Sequence, residues 1–161
     1  MLSFLTIIAS ASSPDTAIAA TKTVEQVFGY YHATLFNFPL ILFSTALGCD
    51  ILFYYDKLRS LKWGHSFVVL GVIMCIPTIV TGLAASVNLD ITDSILAKHR
   101  MLGYATGMFG SLYAGLRISA MWWDLPLLPK HYIGLSVMMV ALISWCCDYG
   151  VLVAQGVTSI P

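Results

Sequence analysis

The sequence predicts an all-α fold, an integral membrane four-helix bundle with a short N-terminal interfacial helix. Three observations predict it. Of 161 residues, 58% are hydrophobic and only 10% charged, whereas soluble domains carry roughly a quarter charged residues. Four stretches approach the about 20 apolar residues that a helix needs to cross hydrocarbon. None of the four is amphipathic; each is apolar on every side, as expected where lipid and neighbouring helices solvate all faces. Lys plus Arg and Asp plus Glu number 8 each, so no basic surface exists and no nucleic-acid partner is expected.

Taken in order, residues 1–31 form an N-terminal interfacial segment and residues 32–161 the bundle. "LSFLTIIASA" is too short to span, and "AIAA" is a candidate cleavage site without a preceding cation; a retained segment on lipid or on another subunit is expected. In "TVEQVFGYY", Thr23 with Gln26 reads as a capping box, and Val24, Val27, Phe28 and Tyr31 fall at helical spacing. That predicts a short surface helix delivering the chain to His32. The first span covers residues 38–55, with a start nearer Ala33 also compatible, and Asn37 as cap places Pro39 harmlessly in the first turn. The other spans cover residues 67–87, with Pro77 as a bend, then 101–120 and 132–154. No internal repeat is defensible from the sequence.

The cations set an orientation. Lys57, Arg59 and Lys62 lie between the first two spans, and Arg117 and Lys130 near the third connection, set against Asp124. Lys22, Lys98 and Arg100 fall on the opposite side, offset by Asp15, Glu25, Asp90 and Asp93. Both termini are thus expected on the periplasmic side of a bacterial inner membrane, with Trp63, Trp122 and Trp123 in the inner aromatic belt. Cys49, Cys75, Cys146 and Cys147 show no metal spacing and read as small apolar residues.

The 4 histidines, His32, His65, His99 and His131, each stand near the N-terminal end of a different span. Alternating directions place His32 with His99 on the outer side and His65 with His131 on the inner side. A protonated imidazole opposes the positive end of a helix dipole, so these places suit the neutral form, the one that binds metal. Two such nitrogens on facing helices can ligate haem b. On the third span, Gly103, Gly107 and Ser111 form one small-residue face, which suits either a flat cofactor or a helix-packing seam. Lys98 and Arg100 flank His99 and suit propionates; Tyr30 and Tyr31 offer a wall. His65 and His131 make a second, weaker site, with Lys62 and Lys130 as its cations. The plainer reading of each histidine is a hydrogen bond to headgroups, water or a carbonyl. A non-haem metal on His32 and His99 with Asp90 or Asp93 is a further alternative. Asp50 and Asp148 lie inside spans, where a carboxylate needs a partner; a helix-to-helix tie is the plain reading, and a proton path or quinone contact the functional one.

"HATLFNFPLILFSTALGCDIL" resembles the opening of a prokaryotic four-span membrane family catalogued as a domain of unknown function, in His32, Phe38, Pro39 and Asp50. "PTIVTGL" resembles that family's proline-to-glycine element at Pro77 and Gly82, "ILAKHRMLGYATG" its third span at His99, and "YGVLVAQGV" its tail. Ala33, Asn37 and Gln155 stand where the family has proline or histidine. The resemblance implies the company of c-type cytochromes and dehydrogenases, hence electron transfer.

No nucleophile–base pair, phosphate loop or zinc motif appears, which excludes hydrolysis and phosphoryl transfer. The expected function is a membrane electron-transfer protein holding haem b on His32 and His99. Its redox partner is quinone or a cytochrome, and a second haem at His65 and His131 follows from the same logic. It is expected to act within an oxidoreductase or respiratory-chain complex, or as a homo-oligomer, rather than as a stand-alone enzyme. The rival is a cofactor-free accessory subunit of a larger respiratory or transport complex. A small transporter lacks the inverted repeats such proteins show.

Overall fold

The computed structural model describes residues 14–53, 59–87, 89, 94–123 and 129–156, and those residues contain no strand. Asp90 and Asp93, Lys57 and Asp124, and the apolar segment before Pro14 lie outside them. Five helices result: α1 (Pro14–Leu35), α2 (Asn37–Leu52), α3 (Arg59–Ala85), α4 (Ser94–Trp122) and α5 (Pro129–Ala154).

α1 and α2 are nearly one rod. Pro39 has no N–H, so the carbonyl four residues back, on Leu35, loses its helical partner, and α1 stops there. Phe36 at the junction keeps helical angles (φ −57°, ψ −32°), and its N–H donates to His32 O at 3.0 Å. Two expectations are corrected. Asn37 does not cap α2, because its side-chain amide donates to Ala33 O at 3.3 Å. The helix does not begin at a Thr23 capping box either; α1 already starts at Pro14. The boundary drawn between residues 31 and 32 falls inside α1, and the apolar stretch runs unbroken over Glu25–Leu52. His32 therefore sits within the first spanning rod rather than ahead of it.

Three rods are long and apolar enough to cross a membrane, Glu25–Leu52, Leu61–Ala85 and Lys130–Ala154. α4 is 29 residues long but less apolar, and the reason is its inner face. Thr106, Tyr113 and Arg117 are buried in the bundle, while Met101, Met108, Leu112 and Met121 are exposed. Several of the polar residues that lower its hydropathy thus point at protein, while Lys98 and Ser111 are exposed among the outward apolar side chains. Large exposed hydrophobic side chains on every rod suit a bilayer as solvent.

The rods close a four-membered ring. α3 packs on α1, α2 and α4, α5 packs on α4 and α2, and the α1–α2 rod stands diagonally across from α4. The middle is dry: Phe43, Val68, Met139 and Ile143 are each at most 1% exposed. Two glycines make that packing fit. A Cβ at Gly71 stands 2.8 Å from the Phe43 ring, and one at Gly110 stands 2.9 Å from Met139 Cε.

Candidate functional site

The diagonal pair of rods meets twice, once on each side of this plug. On one side His32 of α1 and His99 of α4 face each other, with ring centroids 5.9 Å apart and planes at 84°. His32 Nδ1 donates to Thr78 O on α3 at 2.8 Å, and His99 Nδ1 donates to Cys146 O on α5 at 2.9 Å. A carbonyl can only accept, so Nδ1 of each ring carries a proton, and Nε2 takes no part in that bond. One turn beyond each carbonyl a glycine meets the ring. A Cβ on Gly82 stands 2.7 Å from His32 Cε1, and one on Gly150 stands 3.0 Å from His99 Cε1. The hairpin α1–α3 and the hairpin α4–α5 thus repeat one device, a repeat invisible as letters.

Both histidines line a cavity of about 500 Å³. It runs along α4 from Leu96 to Thr106, a length of about 15 Å at 1.5 Å per residue. Pro39, Cys75 and Ile143 close the deep end, and Glu25, Leu89 and Ala154 lie toward the other. Arg100 lines it with Ser86, whose Oγ accepts from Arg100 Nη2 at 2.8 Å. Arg100 Nε and Thr106 Oγ1 are buried with no hydrogen-bond partner. Gly103 opens onto the cavity, and a Cβ there meets nothing within 4 Å.

Other residues expected at this site fall elsewhere. Gly107 is a packing residue, its Cβ position 2.9 Å from Ile79 Cδ1, and Ser111 donates back to Gly107 O at 2.8 Å from an exposed position. Lys98 is exposed, with Nζ 5.8 Å from the Tyr149 ring, so Arg100 alone of the two cations reaches the cavity. Tyr30 and Tyr31 are exposed and contact each other edge to face.

On the far side of the plug Asp50 of α2 and Arg117 of α4 form a buried ion pair. Asp50 Oδ2 also accepts from Ser136 Oγ at 2.7 Å, and Arg117 Nε donates to Tyr113 OH at 2.9 Å. The guanidinium lies 4.4 Å from the Tyr132 ring, a cation–π contact between two buried side chains. Gly64 lets the backbone press against the pair, since a Cβ there would stand 2.9 Å from Arg117 Nη1 and 3.1 Å from Asp50 Oδ1 and one of them would have to shift. Asp50 is thus a helix-to-helix tie, whereas Asp148 is exposed. Arg117, counted above among the loop cations, is 0% exposed and belongs to the interior.

The inner histidines are not brought together. His65 is buried edge-on to Tyr132, with centroids 5.8 Å apart, while His131, one residue before, is exposed. Helical rotation decides this, because adjacent residues point about 100° apart. Among the described residues no group of three or more His, Cys, Asp or Glu could hold a metal ion. No family model, curated protein or solved structure matches the chain.

Proposed function

We propose that this membrane protein transfers electrons by holding haem b between His32 and His99. One observation carries the reading: two diagonal imidazoles meet at 5.9 Å across one cavity, each with Nδ1 on a carbonyl. Ligating histidines characteristically donate their other ring nitrogen in this way, which fixes the tautomer and orients the ring.

The chemistry of the donor set favours a macrocycle. Two histidines are too few for a bare ion, and the described residues offer no cluster of three; a porphyrin brings four nitrogens and asks for two more. Cavities of roughly 300–1,000 Å³ hold molecules of that class. Arg100, anchored by Ser86 with Nε unpartnered, is the residue to meet the carboxylates, and Gly103 leaves room beside His99. Haem, when bound, supplies the one-electron couple. The chain orients both imidazoles, pairs the carboxylates, and walls one side with the dry plug. The stretches that resemble the four-span prokaryotic family supply His32, Gly82, His99 and Gly150, all on the cavity wall, which supports the same reading.

Quinone or a cytochrome is the electron partner in this proposal. With Arg117 interior, Lys57, Arg59, Lys62 and Lys130 are the cations that support basic loops in the cytoplasm and both termini on the periplasmic side of a bacterial inner membrane. The rival reading, a cofactor-free accessory subunit, draws on the two histidine–carbonyl bonds as simple helix ties. A reduced-minus-oxidised spectrum of purified, haem-loaded protein separates them. A b-type band is expected, lost in His99→Ala and in His32→Ala. Absence of any band favours the rival, and a band that survives both substitutions means other ligands.

A further inference from the structure

We infer that Gly82 and Gly150 are positioning residues which, with the carbonyls of Thr78 and Cys146, hold the two imidazoles crossed, so that a haem taken up by His32 and His99 would be held by rings at that angle. The inference rests on the haem reading and names the ligand field that this site imposes.

Each ring is held at two points by one helix. Its Nδ1 donates to a carbonyl, of Thr78 at 2.8 Å or Cys146 at 2.9 Å, and its Cε1 edge lies against the glycine one turn further on. The accepting residue stands 46 positions beyond the histidine in the first hairpin and 47 in the second, so the two clamps are geometric equivalents. The clamping helices, α3 and α5, are themselves diagonal across the bundle. A ring tied to each therefore approaches the centre along its own direction, and the planes cross at 84°.

Neither glycine has a positive φ, which among the described residues belongs to Gly156 alone. Space, not backbone freedom, is what the glycines supply. A Cβ at Gly82 would lie 2.7 Å from His32 Cε1 and 2.9 Å from its Nδ1, so the ring must move. A Cβ at Gly150 would lie 3.0 Å and 3.4 Å from the same atoms of His99, so a shift of a few tenths of an ångström suffices. The first clamp is the tighter.

Crossed axial imidazoles have a spectroscopic consequence. With a haem held by His32 and His99, each crossed ring would mix with a different one of the two iron orbitals of π symmetry, and those orbitals would stay close in energy. A low-spin ferric centre then gives one dominant low-field resonance rather than a rhombic three-line spectrum. Parallel rings load the same orbital and give the rhombic form.

The test is electron paramagnetic resonance of oxidised, haem-loaded protein, with histidine ¹⁵N–¹H spectra of the unloaded protein alongside. The parent is expected to show the single low-field feature. Gly82→Ala should shift it strongly toward the rhombic form, and Gly150→Ala by less. In the unloaded protein Gly82→Ala should displace the Nδ1–H signal of His32 and spare that of His99, with the reverse for Gly150→Ala. Gly115→Ala, where a Cβ meets nothing within 4 Å, is the control and should leave both spectra unchanged. If Gly82→Ala does not fold, the milder Gly150→Ala carries the test. A b-type band with a rhombic parent spectrum overturns this inference and leaves the haem reading standing. So do variants that leave both spectra unmoved. Absence of any haem band overturns both.

Discussion

Asp50 with Arg117 and His32 with His99 are the two places where the same diagonal rods touch, and they are built differently. At the first, Arg117, Tyr113 and Ser136 turn toward Asp50, and Gly64 lets backbone press against the pair. At the second, each imidazole is hydrogen-bonded through Nδ1 and lines a cavity. Buried polar atoms without partners occur at both ends, Asp50 Oδ1 and Arg117 Nη1 at the first and Arg100 Nε and Thr106 Oγ1 at the second, but only those of the second line a cavity. A polar cluster turned on itself fixes two helices relative to each other. Polar groups left with one free side around a volume are arranged to receive something. The contrast marks one end as a tie and the other as the candidate site, although both lie between the same rods.

The largest effect that could break this comparison is on the tie. Removing one partner of a buried ion pair strands the other charge and costs about 3–5 kcal/mol. Arg117→Met and Asp50→Leu are each expected to destabilise the detergent-solubilised protein by that amount. The double variant should recover much of the loss, because it leaves no buried charge. Thermal melts of all three decide it, and a double variant no better than the singles would show that the cluster does more than tie helices.

Smaller losses should follow from the surrounding donors. Ser136→Ala removes a hydrogen bond to a charged acceptor, and Tyr113→Phe a hydroxyl shared by Arg117 and Ser136; bonds of this kind are worth about 1.5–3 kcal/mol. Neither substitution should disturb the spectrum of a group held at His32 and His99, since the plug of Phe43, Met139 and Ile143 lies between. A spectral shift in Ser136→Ala would join the two regions that the packing keeps apart. The smallest effect is expected at His131. It is exposed, so His131→Ala should change stability by no more than about 0.5 kcal/mol and leave any b-type band intact. Loss of absorbance there would revive the inner histidine pair.

Several of these features were legible as letters. The pairing of His32 with His99 follows from their places at the same end of alternating spans, and the structure does bring those rings together. The partner of Asp50 was harder to see, because Arg117 looked like a loop cation near a connection. The signal was nonetheless present: Arg117 lies inside the third apolar stretch, and an arginine within a span needs an acid. Pro39 misled in the other direction. A proline suggested the beginning of a helix, whereas it only interrupts one rod, since Phe36 keeps helical angles on its near side.

Composition alone determined that the helices would be buried in lipid, because no other solvent accepts so much apolar surface with so few charges. Span length and the alternation of direction determined which histidines could share a depth. What the chain could not announce was azimuth. Whether Tyr132 or His131 turns inward, which glycine lies beneath which ring, and at what angle two imidazoles cross depend on the rotation of each helix about its axis. Packing against three neighbours fixes that rotation, and helices apolar on every side carry no stripe to encode it.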